Sequence, residues 1–267
     1  MNTNKLKYTG KGKSLTKLFL GLTTSFYLST YLFPKTAEAA DHLNLEEGLP
    51  TEVEDAYPVP YQGIELQGAV KYDCINGKDS FVIEPRLEYG IAPNTQARIA
   101  VPFKFGNAES DGIGDVGVEV FYNFNIETLK TPAFAVSVGV DTPTGEDSAG
   151  IDPTVKLIMT KTLGKGTNLD RLHLNVGYTF NDAKKDDERR NVVKAVAGYS
   201  RRLSPQTILV TDFVYEQEKE EDEDTYILEL GIRQQATPLT VWSVGAGVGL
   251  SNDSPDFRVT AGIQQSL

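Results

Sequence analysis

The chain has 267 residues, of which 24% are charged, and its 26 basic and 37 acidic side chains give a formal net charge of −11. Nucleic acid is therefore not expected as a partner, because proteins bind the phosphate backbone through an excess of Lys and Arg. Cys74 is the single cysteine of the sequence, which excludes an internal disulfide.

Residues 1–39 have the pattern of a cleaved secretory signal peptide. Five lysines fall between positions 5 and 17, an uncharged apolar and hydroxylic stretch covers 18–33, and Ala37 and Ala39 supply the small residues of a cleavage site. A membrane anchor is disfavoured, because this stretch is interrupted by Ser and Thr and is shorter than the about 18 residues of a spanning helix. Beyond residue 39 the chain holds 20 basic and 36 acidic residues, a net charge of −16.

Residues 40–62 show neither helical nor strand periodicity. The segment combines three prolines with a cluster of acidic side chains, namely Glu46, Glu47, Glu52, Glu54 and Asp55. We interpret it as an extended periplasmic lead-in. A remnant of export, a plug and a docking strap remain open as its role.

From residue 63 onward, apolar side chains alternate with small or polar ones in one run after another, which is the period of β-strands. The clearest run places Leu172 and Leu174 on one face and His173 and Asn175 on the other. Phe121 is an exception, since it falls on the polar face of its run. Twelve such runs extend to residue 267, and their lengths suit the about 9–11 residues that a strand needs to cross a membrane.

The connections between the runs alternate in kind. Links after even-numbered runs are mostly short and contain Pro or Gly, whereas links after odd-numbered runs are mostly longer and rich in Asp and Glu. Compact turns at one end and long loops at the other are typical of outer-membrane barrels. The sequence therefore predicts an all-β fold over residues 63–267, a twelve-stranded antiparallel up-and-down transmembrane β-barrel in the bacterial outer membrane, with both termini in the periplasm.

A soluble β-barrel or sandwich is the alternative, since alternation does not distinguish an apolar face that meets a core from one that meets lipid. The export signal, the asymmetry of the loops and aromatic residues near the ends of the runs favour the membrane. These aromatic residues are Tyr89, Phe105, Phe124, Phe180, Tyr199, Tyr215 and Tyr226.

Charged side chains fall on the face opposite the apolar one, which in a membrane barrel is the lumen face. Opposite charges on neighbouring strands can pair along this face. Two roles stay open for them: a polar constriction that filters small solutes, or charges that fill and stiffen a narrow barrel. The candidate lumen residues are Glu84, Arg86, Glu88, Arg98, Lys104, Glu119, Arg171, His173, Glu229 and Arg233.

Enzymatic and metal-binding roles are the less favoured hypotheses. A hydrolase needs a His beside a Ser nucleophile, and the two histidines are His42, in the lead-in, and His173, which is more simply explained as a hydrogen-bonding lumen residue. The loop between Thr142 and Asp152 offers oxygen ligands for calcium, but its spacing fits no EF-hand and a solvated loop is the simpler interpretation. No catalytic residue, metal ligand or cofactor is predicted.

Several short motifs follow one another along the predicted strands. They are Glu84-Pro85, Leu87-Glu88-Tyr89-Gly90-Ile91, Gly112-Ile113-Gly114-Asp115, Thr142-Pro143-Thr144-Gly145 and Leu172-His173-Leu174-Asn175-Val176-Gly177-Tyr178. In their order and spacing they resemble a family of bacterial outer-membrane barrels that is often named for the meta-pathway of phenol degradation. The resemblance covers residues 63–267 and implies passage of small, often aromatic or hydrophobic, molecules.

We therefore expect a passive channel or transporter for small molecules, embedded in a lipid bilayer. The alternative is a closed-lumen structural or surface-interaction barrel that works through its acidic extracellular loops. The barrel-insertion machinery is a further expected partner, and it usually recognises a terminal aromatic residue. Leu267 keeps the parity of Phe257, Val259 and Ile263, whereas Gln265 breaks it.

Overall fold

Alternating side chains from residue 64 onward build one antiparallel sheet that closes on itself. The computed structural model describes residues 40–108, 111–145, 150–164, 168–182 and 188–267. Within these ranges the sheet has the predicted twelve strands. They are β1 (Ile64–Ile75), β2 (Lys78–Ala92), β3 (Thr95–Ala100 and Phe103–Gly106), β4 (Gly112–Ile113 and Val116–Asn123), β5 (Ala133–Thr142), β6 (Asp152–Leu163), β7 (Asp170–Phe180), β8 (Asn191–Ser204), β9 (Thr207–Gln217), β10 (Asp224–Thr237), β11 (Thr240–Gly249) and β12 (Phe257–Ser266).

Hydrogen bonds between the first and the last strand close the barrel. β1 pairs with β12 from Glu65 opposite Ser266 to Cys74 opposite Phe257, and it pairs with β2 on its other side. The remaining strands pair with their neighbours in the sequence. The predicted fold class, a twelve-stranded antiparallel up-and-down barrel, is confirmed.

β3 and β4 are each interrupted once. Pro102 lies in the gap of β3, where a residue without an N–H group cannot donate to a neighbouring strand. The second segment of β3 continues along β2, with Phe103 opposite Ile83. Each pair of segments therefore acts as one strand of the barrel wall.

The outward face of the barrel is apolar and the lumen face is polar. In β7, Leu174 is 41% exposed, whereas His173 and Asn175 are each 3% exposed. Arg233 of β10, a charged residue of the lumen face, is fully buried. Soluble proteins show the opposite arrangement, so the soluble alternative is excluded and the apolar belt faces lipid.

Two predicted features fall outside the described residues: the signal peptide, residues 1–39, and the carboxylates Glu146 and Asp147 of the loop that follows β5. The signal peptide therefore stays a prediction. Among the residues that the structure describes, no helix is long and apolar enough to cross a membrane.

Residues 40–62 lie inside the barrel as a hairpin, which we call the plug. Its two arms are joined by a hydrogen bond from Asp55 N to Leu45 O (3.0 Å), and the chain turns where Leu49 N donates to Glu46 O (2.9 Å). Gly48, with a φ of 73°, supplies the left-handed residue that such a turn requires.

Both ends of the plug lie at the mouth formed by the short turns, which is the periplasmic mouth of an outer-membrane barrel. Ala40 N donates to Pro238 O (2.9 Å), and Gln62 N donates to Gly90 O (2.8 Å). The sequence predicts an extended periplasmic lead-in and leaves a plug open as its role; in the structure the segment lies within the lumen. The physical reason is that the lumen offers hydrogen-bond partners to its backbone and apolar surface to its side chains.

Apolar side chains of the plug and the wall pack in two clusters. Ala56 packs with Phe121, Ala133, Ala135 and Ile158, which explains why Phe121 lies on the polar face of β4. The other cluster joins plug and wall through Leu45, Val53, Val196, Ile208, Val210, Val214 and Ile227. Burial of this surface favours occupancy of the lumen.

Candidate functional site: an occupied lumen

Lumen side chains satisfy the backbone of the plug. Val53 N donates to Asp212 Oδ2 (2.7 Å). Glu54 N donates to Asn175 Oδ1, and Asn175 Nδ2 donates back to Glu54 O, both at 2.8 Å. A buried irregular segment needs such partners, because its backbone N–H and C=O groups no longer form hydrogen bonds with water. Further N–H donations run from Glu52 to Glu229, from Ala56 to Thr160 and from Val59 to Gln96.

Arg98 of β3 is the centre of a buried charge cluster. Its register partners are Glu88 of β2 and Glu119 of β4, and its guanidinium donates to both, at 3.1 Å to Glu119 Oε1. The same guanidinium reaches the plug, at 2.7 Å to Glu46 Oε2 and 2.8 Å to Glu54 Oε1. One buried cation therefore ties three strands of the wall to the plug.

Three glutamates lie close together beside Arg98. Carboxylate oxygens of Glu46, Glu65 and Glu88 are within 4.8 Å of one another, which among the described residues is the set spaced like the ligands of a hard cation. Arg98 donates to Glu46 and Glu88, and side chains of β12 donate to Glu65. Donors of the chain itself thus compensate these carboxylates.

The tip of the plug, residues 47–52, meets basic side chains nearer to the long loops. Glu47 bridges two ammonium groups, with 2.7 Å from Oε2 to Lys156 Nζ and 2.9 Å from Oε1 to Lys194 Nζ. Glu52 accepts hydrogen bonds from Lys194 at 2.7 Å, from Lys71 at 2.5 Å and from Arg258 at 3.3 Å. The tip is therefore held by charge on both of its acidic residues.

Arg233 and Arg171 hold the arms of the plug. Arg233 donates to Leu49 O at 2.8 Å and to His42 O at 3.3 Å. Arg171 donates to Leu43 O at 3.1 Å. Its guanidinium also lies 5.4 Å from the ring centroid of Tyr57, within the range of a cation–π interaction.

The other predicted lumen residues occupy different places along the wall. Arg86 donates to Glu84 and to the carbonyl oxygen of Glu47, and Glu229 accepts from the N–H of Glu52. Lys104 lies half-buried on the second segment of β3, farther toward the long loops, with Val82 and Gly112 as register partners.

His173 sits in a chain of hydroxyl groups below the plug. Its Nδ1 is 3.0 Å from Thr160 Oγ1 and its Nε2 is 2.9 Å from Ser200 Oγ. A hydroxyl therefore occupies the position where a hydrolase triad has a carboxylate, and Thr160 also accepts from Ala56 N. The arrangement places a hydrogen-bonding lumen residue here, as the sequence indicates.

Lys156 and Asp212 contact the plug and are absent from the predicted set. Their position on the lumen parity could be read from the alternation in β6 and β9. Their contacts with the plug could not be predicted, because the partners are Glu47 and Val53 of the plug. These contacts join residues more than 100 positions apart in the sequence.

A cavity of about 380 Å³ adjoins the tip of the plug on the side of the long loops. Glu47 and Glu52 of the plug border it. Gly117, Gly139 and Gly177 leave part of its wall without side chains. Among the described residues, its basic lining is Lys71, Arg86, Arg98, Lys156 and Lys194.

A closed barrel with an apolar outer belt and a charged lumen defines a bacterial outer-membrane β-barrel protein. The chain belongs to the family described as "Putative MetA-pathway of phenol degradation", whose model matches residues 61–267. The resemblance seen in the sequence and the predicted outer-membrane location are confirmed. No curated protein matches the chain.

Two solved structures show the same fold. One is an outer-membrane channel from Pseudomonas putida F1, with 14% identity and a TM-score of 0.62, covering 80% of this chain and 98% of that one. The other is the NanC porin, with 11% identity and a TM-score of 0.56, covering 76% of this chain and 100% of that one.

Proposed function

We propose that this protein is a passive outer-membrane channel for small molecules and that the plug closes it. The observation that carries the proposal is a polar lumen whose occupant is held by hydrogen bonds, ion pairs and apolar contacts. Such contacts exchange with water and solute, so the plug can shift while the wall stays intact. The two similar structures are described as a channel and a porin, which supports this class of function.

The family description points to compounds of phenol breakdown as candidate solutes. No enzymatic role is proposed, since Thr160 and not a carboxylate lies beside Nδ1 of His173. The barrel-insertion machinery is proposed as a partner of β12, whose outward side chains Phe257 and Val259 are exposed.

A reversible lock on the plug tests the proposal. A Cβ built on Gly198 lies 2.9 Å from Val53 Cβ, which is shorter than the about 3.5–4.5 Å of a disulfide, so the two positions are adjacent and the plug must move back slightly for the bond to form. We suggest Val53→Cys with Gly198→Cys in a Cys74→Ser background, refolded and recorded in a planar bilayer. The two single-cysteine variants are the controls, and heat-modifiable migration on an unboiled gel reports folding.

We expect the oxidised double variant to conduct less than the same preparation after reduction. Equal currents before and after reduction would show that the plug does not gate the lumen. Silence of the folded, reduced variant and of the wild type would overturn the channel function and favour the closed-lumen barrel that works through its acidic loops.

A further inference from the structure

We propose that the cavity beside the plug tip binds a small organic carboxylate and that Glu47 and Glu52 take its place when the channel is closed. The inference rests on the proposed channel function and names the chemical class of solute that this lumen takes.

Glu47 is arranged as a bound carboxylate ligand would be. Its two oxygens divide between Lys156 Nζ at 2.7 Å and Lys194 Nζ at 2.9 Å. These lysines lie on β6 and β8, with β7 between them, so the rigid wall fixes the spacing of the two ammonium groups. Charge-assisted hydrogen bonds of this kind are about twice as strong as neutral ones.

The lysines of the cavity wall depend on the plug for most of their ion pairs. Lys156 pairs with Glu47 and Glu54 of the plug and keeps Glu119 of the wall at 3.5 Å. When the tip withdraws, Lys71 loses its ion pair with Glu52, and Lys194 keeps Glu216 at 3.8 Å. Partly buried cations without partners cost free energy, and an anion from solution removes that cost.

The cavity has room for the body of such an anion. Its volume of about 380 Å³ lies at the lower end of the about 300–1,000 Å³ of small-molecule sites. The backbone of Gly117, Gly139 and Gly177 forms the part of the wall beside the lysines. A neutral solute does not replace the carboxylates that the ammonium groups lose when Glu47 and Glu52 withdraw, and an amine adds a further cation, so the site discriminates in favour of anions.

Planar-bilayer recordings of the full mature chain in potassium chloride test this inference with three probes of matched size: butanoate, butan-1-ol and butylammonium. The measured quantity is the fraction of time for which the channel is open, as a function of probe concentration. We expect butanoate to act at about tenfold lower concentration than butan-1-ol, because it adds hydrogen bonds between charged groups. Equal responses would overturn the carboxylate class while leaving the channel function standing.

Two lysine variants locate the effect. Lys194→Met should raise the required butanoate concentration about tenfold, because one of the two ammonium groups is lost. Lys219→Met is the matched control, since Lys219 pairs with Asp152 outside the cavity lining, and its response should equal that of the wild type. An unchanged response of Lys194→Met would overturn the site.

Glu47→Gln tests the competition directly. Removing the internal carboxylate should lower the required butanoate concentration, whereas a merely structural Glu47 would leave it unchanged or raise it, and that result would overturn the inference. If the folded protein carries no current, the channel function fails first. The site is then tested by thermal unfolding, followed by the change in gel migration. Butanoate should raise the unfolding temperature of the wild type and not that of Lys194→Met. The absence of such a difference would also overturn the site.

Discussion

The side chain of Val53 fills the space in front of Gly198. A Cβ on Gly198 would meet three atoms of Val53, Cγ2 at 2.6 Å, Cβ at 2.9 Å and Cγ1 at 3.0 Å. At this point of the wall the plug approaches the backbone of β8 so closely that a glycine is required. A side chain here would press on the plug and leave the pairing of β8 with β7 and β9 unchanged.

Gly198→Ala should therefore weaken the seat of the plug, since crowding of a packed site costs about 1–3 kcal/mol. We expect longer openings in bilayer recordings than for the wild type. Gly177→Ala is the matched control, because the nearest atoms to its new Cβ, in Lys194, are 3.9 Å away. Identical open times for the two variants would contradict the role assigned to Gly198.

Arg98→Met should destabilise the plugged barrel. The guanidinium compensates Glu46, Glu54, Glu88 and Glu119, and removal of one partner from a buried ion pair costs about 3–5 kcal/mol. Urea unfolding followed by gel migration measures the loss. Arg201→Met, which removes a half-exposed cation 3.6 Å from Asp170, should cost less than about 1 kcal/mol; equal losses would refute the assignment.

Acid should release the plug at Glu127, which lies between β4 and β5 and accepts from Tyr57 OH at 3.0 Å. Burial would raise its pKa, but hydrogen bonds from Lys161 and Thr162 prevail and lower the pKa from 4.5 to about 2. The stabilisation is therefore complete above pH 4.5 and is lost as the pH falls through 2. The protection factor of the Tyr57 amide, which is the intrinsic exchange rate at each pH divided by the observed one, should fall over this window, and Glu127→Gln should abolish the change.

The acidic loop between β9 and β10 should respond to pH in the opposite sense. Burial and repulsion by Glu216, Glu220 and Glu223 raise the pKa of Glu218 from 4.5 to about 7. Order in this loop is therefore greatest below pH 4.5 and declines as the pH rises through 7. Hydrogen exchange of the Glu218 amide, which donates to Glu223 O at 3.0 Å, should be slower at pH 6 than at pH 8. The comparison uses protection factors, which divide out the intrinsic dependence of exchange on pH, and in Glu218→Gln the protection factor should be the same at both pH values.

The barrel could be predicted because strand alternation is a local property of the sequence. Leu174 and Asn175 reveal their faces through their immediate neighbours, and the order of short and long connections gives the topology. Lumen charges such as Arg98 follow from the same parity. Their partners within the wall, Glu88 and Glu119, follow from pairing between adjacent strands.

The plug could not be predicted in this way, because residues 40–62 have no period and their partners are distant. Glu54 bonds to Asn175, 121 positions away. A signal was nevertheless present on the wall: Val210 and Val214 are apolar on the lumen face of β9, where water would favour polar groups, and both are fully buried. Apolar residues on the lumen face, together with Gly198, indicate where a segment packs inside the barrel.

The two ends of the plug share one mouth, and β1 follows the plug directly. The hairpin can therefore retract toward the periplasm as a tethered stopper, without rupture of the seam between β1 and β12. Re-entry is then an intramolecular event, at an effective concentration of about millimolar for so short a tether. Opening is thus self-limiting, and a freely diffusing peptide of the same sequence would compete with the stopper only at comparable concentrations.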